Sequence, residues 1–112
     1  MNDNNVVIYQ DDNGITKVSV RFSEEDLWLT QAQITELYQT SKSNISKQKK
    51  NILTDGELDE NSVHSILEYT AADGKKYATK FYNLDAILSV GYRVNSIYAT
   101  SFRKWANNVL KK

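Results

Sequence analysis

Thr30-Gln31-Ala32-Gln33-Ile34-Thr35-Glu36-Leu37-Tyr38-Gln39-Thr40-Ser41-Lys42-Ser43-Asn44-Ile45-Ser46-Lys47-Gln48-Lys49-Lys50-Asn51-Ile52-Leu53 reads as two short helices separated by a polar turn. Thr30 offers a side-chain oxygen for an N-cap, and Gln33 three residues later completes a capping box. Ile34, Leu37 and Tyr38 then fall on one helical face. Gln39-Thr40 breaks that pattern, and Ser41 can cap a second helix over Lys42–Leu53. Ile45, Ile52 and Leu53 share its buried side. Helical geometry turns Ser43, Lys47, Lys50 and Asn51 roughly the opposite way, with Asn44 and Gln48 at the flanks. Asp55-Gly56 supplies the stop, because glycine takes the left-handed conformation that ends helices. Two residues sit oddly in this pair. Gln39 replaces the glycine often found at such a turn, and Lys49 stands where an apolar core residue would be comfortable.

Toward the N-terminus, Val6-Val7-Ile8 is β-branched, and Ile15–Phe22 alternates in the manner of a strand. Asp11-Asp12-Asn13-Gly14 lies between them as a turn signal, which predicts a β-hairpin. Ser23-Glu24-Glu25-Asp26 reads as polar punctuation, with Trp28 and Leu29 just ahead of the Thr30 cap. Toward the C-terminus, 57–61 is an acidic connector. Ser62–Thr70 and Tyr77–Asn83 are rich in β-branched and aromatic residues around Asp73-Gly74, a second hairpin. A helix over Asp85–Val94 follows, capped by Asn83, with Gly91 marking a close approach. A last helix, Ile97–Leu110, places Tyr98, Phe102, Trp105, Ala106 and Val109 at three- and four-residue spacing, and Trp105 is assigned to the core. It runs to the end of the chain without a stop signal, which points to the N-terminal piece of a longer protein.

The 112 residues suit one domain spanning 1–112, and 40% apolar content with 25% charge is ordinary for a globular chain. No cysteine is present, which removes disulfides, thiolate metal sites and a cysteine nucleophile. No run approaches the roughly 18 apolar residues of a membrane span, and the start lacks a signal-peptide layout. The expectation is a cytoplasmic protein with no membrane partner.

Formal net charge is zero, yet the charges are segregated. Residues 1–41 hold Lys17 and Arg21 against seven acids, whereas 42–50 hold Lys42, Lys47, Lys49 and Lys50 with no acid. Six acids and no Lys or Arg lie between 54 and 74, and eight basic residues from Lys75 onward face only Asp85. Local potential governs attraction to phosphate, so a neutral total can hide a basic face.

Two helices, a polar turn and a following hairpin form the order of a winged helix-turn-helix within an α+β fold, here with an N-terminal β-hairpin and two C-terminal helices. In that arrangement the first helix braces the second, which presents polar side chains to base edges in the major groove. Ser43, Asn44 and Lys47 suit base contacts, since the N-terminal part of a reading helix enters deepest. Gln48, Lys50 and Asn51 extend the same polar surface. Lys42 at the helix start and Lys75 and Lys76 at the hairpin tip suit phosphates.

Other chemistry finds little support. His64 is the only histidine, and without cysteine or a second histidine it makes no usual zinc site. Ser62-Val63-His64 is no triad. Asp55, Glu57, Asp59 and Glu60 lack the spacing and terminal bidentate Glu of a calcium loop. Gly91 has no glycine-rich neighbourhood to cradle phosphate. Arg93, Arg103 and Lys104 are interleaved with Tyr92, Tyr98, Phe102 and Trp105, so Arg93 serves either a phosphate or an acidic neighbour. The chain is expected to be no enzyme and to need no cofactor.

Several blocks in one order carry a family resemblance. Leu27-Trp28-Leu29-Thr30-Gln31-Ala32-Gln33, the Tyr38–Ile52 segment, Gly56-Glu57-Leu58, Ala71-Ala72-Asp73-Gly74-Lys75, Tyr82-Asn83-Leu84-Asp85 and Val90-Gly91-Tyr92-Arg93-Val94 resemble the RhuM family (virulence protein RhuM-like) of bacterial proteins. Phe102-Arg103-Lys104-Trp105-Ala106 is similar to the end of the BRO-N and KilA-N group of phage and viral DNA-binding domains. The resemblance implies an N-terminal DNA-binding domain followed by a further region. The family name records a genetic association rather than an activity, and Lys49 stands where isoleucine is expected. The expected partner is double-stranded DNA, bound as a transcriptional regulator or phage-type antirepressor, with a homodimer and a partner protein such as a repressor also in view. The alternative is a protein-interaction or assembly module that does not touch DNA and uses Tyr98–Leu110.

Overall fold

A computed structural model describes residues 6–11, 14, 16–59 and 72–111, together with the backbone of 64–70. Ile15, the connector from 60 to 61 and the Ser62 start of the second hairpin lie outside the described residues. The chain is α+β. Strands β1 (Val6–Gln10), β2 (Lys17–Ser23) and β3 (Asp26–Thr30) precede helices α1 (Gln31–Leu37) and α2 (Lys42–Thr54). Strands β4 (His64–Thr70) and β5 (Lys76–Tyr82) follow, and then helices α3 (Leu84–Val94) and α4 (Ser96–Leu110). All strand pairs are antiparallel, in the order β1-β2-β3-β5-β4.

The expected N-terminal hairpin is present, with Val7 opposite Val20 and Tyr9 opposite Val18. Tyr9, Val18 and Val20 are buried, while Val6, Ile8 and Lys17 are exposed, as a half-buried sheet requires. What sequence reading takes for punctuation is a second tight turn. Glu24 and Glu25 have φ of 55° and 59°, and Ser23 pairs with Asp26, so the chain reverses directly into β3. Two consecutive positive φ values are those of a type I′ turn, whose usual signal is Asn-Gly. Glu-Glu hides it. The strand that follows is nearly all core: Leu27 and Leu29 are fully buried, and the Trp28 indole N–H donates to Ser23 O at 3.0 Å. Replacing Glu24-Glu25 with Asn-Gly is expected to stabilise the fold by on the order of 1 kcal/mol. A melting temperature that does not rise would mean that this turn carries little strain.

β3 links the hairpin to the rest of the sheet, since Leu29 and Thr30 pair with Tyr82 and Phe81 of β5. Asp26, at the start of β3, accepts N–H groups from Leu27 at 2.7 Å and from Leu84 at 3.3 Å. It thereby ties the first turn of α3 to the sheet. Burial holds its carboxyl above the ordinary carboxylate range, against those two hydrogen bonds.

The helices start where their caps predict. Thr30 and Gln33 form the complete capping box of α1, Ser41 accepts from Asn44 N–H, and Asn83 accepts from Ala86 N–H. α2 ends in a Schellman motif: Gly56 N–H reaches Leu53 O, Glu57 N–H reaches Ile52 O, and Gly56 has φ of 73°. α1 ends in the same way with glutamine in the glycine position. Gln39 N–H reaches Glu36 O, Thr40 N–H reaches Thr35 O, and Gln39 has φ of 54°. Its side chain offsets the strain, because Nε2 donates to Glu36 O and to Thr16 Oγ1, which anchors the turn on the sheet.

One core joins these elements. Ile34 and Leu37 of α1, Tyr38, Ile45 and Ile52 of α2, Ile87 and Val90 of α3, and Phe102 and Ala106 of α4 are buried against Val20, Leu27 and Leu29. Two expectations need correction. Leu53 is 37% exposed, since the helix turns it toward a surface groove beside Leu58 and Lys80. Trp105 is half-buried at the core margin, edge-on to Tyr9 and tilted against Phe102 at 5.2 and 5.4 Å between ring centroids.

Candidate nucleic-acid interface

α2 buries one side through Ile45 and Ile52 and presents the other to solvent. Lys42, Ser43, Lys47 and Lys50 are all exposed, whereas Asn44, Gln48 and Asn51 are half-buried at the flanks. A 100° step per residue explains the division: Ser43, Lys47 and Lys50 project within one narrow sector. Asn44 is partly committed, because its Nδ2 donates to Thr40 Oγ1 at 2.9 Å and its own N–H is capped by Ser41. Ser43 Oγ lies 3.3 Å from Ser41 Oγ.

Lys49, the residue that looked misplaced, is held by a network. Its Nζ donates to Gln31 Oε1 at 2.8 Å and to the Tyr82 hydroxyl at 2.6 Å, and it lies 4.4 Å from the Tyr82 ring centroid. Gln31 in turn donates from Nε2 to Ser46 Oγ at 2.7 Å and to Lys42 O at 3.3 Å. One glutamine thus fastens α1 to two turns of α2, and one lysine fastens α2 to β5. Sequence reading missed both as functional positions. The only signal was the apparent misfit of Lys49, since their partners lie between 11 and 33 residues away.

Lys49 is therefore expected to act on stability rather than on charge at the exposed face. Lys49→Ala should cost about 1–2 kcal/mol, the range for charge-assisted hydrogen bonds discounted for partial exposure. Exposed Lys47→Ala should stay within about 0.5 kcal/mol of the parent. Urea midpoints measured on the two variants check this. Equal midpoints would show that the network contributes nothing.

The hairpin tip lies between β4 and β5, with Gly74 at φ of 81°. Lys75 and Lys76 are exposed there. Asp73 shapes the tip by accepting Lys75 N–H at 2.9 Å and the Tyr77 hydroxyl at 2.7 Å. The Lys75 N–H and then the Tyr77 hydroxyl hold its carboxyl below the ordinary range, so it is ionised and occupied with its own turn. Arg93 faces the acids that end α2. Its Nη2 meets Asp55 at 2.9 Å and Glu57 at 3.4 Å, and the Asp55 bond raises its pKa first. Of the two roles open to it, the structure places Arg93 with acidic neighbours.

Among the described residues no group of three or more His, Cys, Asp or Glu could hold a metal. No helix among them is long and apolar enough to cross a membrane. His64 opens β4. The arrangement as a whole is a basic, polar helix face clamped to a sheet, with two further lysines on a hairpin turn.

The model of the virulence protein RhuM family matches residues 62–112, just under half of the chain. That stretch holds Lys75, Lys76, α3 and α4, and it stops short of α1 and α2. No curated protein and no solved structure matches the chain.

Proposed function

Proceeding from the likeness of residues 62–112 to the RhuM family, we propose that this chain binds double-stranded DNA with sequence specificity. α2 enters the major groove, and the β4–β5 hairpin serves as a wing. The chain order β3, α1, α2, β4, β5, with β5 lying between β3 and β4, supports a winged helix-turn-helix arrangement. One observation carries the reading. Lys42, Ser43, Lys47 and Lys50 stand exposed together on a helix whose opposite side is locked into the core and whose remaining lysine is tied down.

Ser43, Asn44 and Lys47 take base edges, and Gln48, Lys50 and Asn51 widen the contact along the groove. Lys42, Lys75 and Lys76 take phosphates, which position the helix without carrying sequence information. The reading makes the chain a cytoplasmic transcriptional regulator or phage-type antirepressor, acting by binding alone. It includes the likeness of Phe102–Ala106 to the BRO-N and KilA-N group.

Selection of bound sequences from a random duplex pool, followed by mobility shift across a salt series, tests this directly. An enriched motif is expected, with log affinity falling linearly against log salt. No enrichment, together with no shift at low salt, would sink the proposal and leave the assembly-module alternative.

A further inference from the structure

β1 forms one edge of the sheet. Edge strands of natural proteins are usually blunted by charge, proline, a bulge or a covering element, because free N–H and C=O groups invite further pairing. β1 lacks the first three. Val6-Val7-Ile8-Tyr9-Gln10 has no charged residue and no proline, and its register against β2 runs residue for residue. Val6 is 50% and Ile8 46% exposed. The strand cannot rotate to hide them. Tyr9 points to the opposite face, buried with its ring 5.1 Å from Phe102 and 5.2 Å from Trp105, and a flip would exchange every side chain between faces.

We propose that β1 pairs antiparallel with β1 of a second copy of this chain, about a two-fold axis at Ile8. That register sets Ile8 against Ile8 and Val6 against Gln10, and it keeps Tyr9 of each copy on its own core side. The strand is self-complementary in charge, since Val6-Val7-Ile8-Tyr9-Gln10 holds no charged residue. Along β1 neutral side chains meet neutral ones. The pairing is isologous and closes at two copies, whereas β1 on the far edge β4 would run head to tail without closing. Nucleic acid is a poor occupant, since the strand offers no cation. The inference is independent of DNA binding.

Sedimentation velocity over a concentration series is expected to show a dimer whose dissociation constant rises at least about tenfold in Ile8→Lys. Ile8 is exposed enough for lysine, and an unchanged melting curve would establish that the variant folds. The chain has no cysteine, so a single introduced thiol reports geometry. Under oxidation Ile8→Cys should form a covalent dimer, because directly opposed Cα atoms lie about 4.5–5.5 Å apart, within disulfide reach. Ile97→Cys, at a 75% exposed position on α4, should not. Three results overturn the proposal: a monomer at the highest soluble concentration, a dimer indifferent to Ile8→Lys, or crosslinking through Ile97→Cys as ready as through Ile8→Cys.

Discussion

Gly91→Ala is expected to lower stability by about 2–3 kcal/mol, although alanine normally favours a helix over glycine by nearly 1 kcal/mol. Gly91 lies inside α3, where a Cβ would overlap the Tyr38 hydroxyl and ring and approach Ala99 Cβ to 2.8 Å. None of these can give way cheaply. Tyr38 is 1% exposed, and its hydroxyl donates to Ile87 O at 2.7 Å. Burial lifts the phenol far above its ordinary range, so it remains a neutral donor at any usable pH. Ala99 is fully buried on α4. The methyl group must therefore push apart three elements, α3, α4 and the end of α1, in an interior as dense as a crystal. Thermal denaturation should show a fall of roughly 10–20 °C for a domain of this size. A melting temperature within a degree or two of the parent would mean that Tyr38 is not packed against Gly91. The effect also reaches the candidate interface, since Tyr38 immediately precedes the left-handed Gln39 that sets the path into α2.

The second large effect is on binding. Removing both Lys47 and Lys50 by alanine should weaken duplex binding about thirty- to 150-fold, taking ~1–1.5 kcal/mol for each charge-assisted contact. The slope of log affinity against log salt should fall by about 2, close to one for each phosphate neutralisation lost. Both side chains are exposed and hold no partner in the core, so far-UV circular dichroism should be unchanged. Ser43→Ala or Asn44→Ala should instead relax sequence preference at one position, with little change in slope. Parental affinity and slope in the double-lysine variant would show that α2 is not the reading helix. Because Lys49 is bound to Gln31 and Tyr82, Lys49→Ala should leave the slope alone while lowering stability.

Much of this molecule was legible in local sequence. Thr30 with Gln33, Ser41 and Asn83 are caps whose chemistry acts within three residues, and the three helices they cap, α1, α2 and α3, start where those residues stand. Asp55-Gly56 and Asp73-Gly74 mark turns through glycines that tolerate positive φ, and both turns are present. Helical periodicity alone places Ser43, Lys47 and Lys50 on one face, and all three are exposed. The same rule put Leu53 on the wrong side, because it lies at the edge of the buried sector, where neighbouring elements decide. The RhuM-like blocks were visible as well, and the family model matches their C-terminal part.

What the sequence by itself determined is thus the class of the fold, the starts of α1, α2 and α3 and the polar face of Lys42–Leu53, because caps, turns and periodicity act over a few residues. Tertiary structure decided the rest. Glu24-Glu25 and Gln39 adopt left-handed conformations that their own preferences oppose, held by strand pairing on one side and by Thr16 on the other. β3 exists because its apolar residues find β2, β5 and the core, not because a turn residue announces it. Lys49 fits the pair of helices only because Gln31 and Tyr82, 18 and 33 residues away in the chain, meet its ammonium group. Such contacts depend on where the backbone brings distant residues together, and no local pattern encodes that meeting.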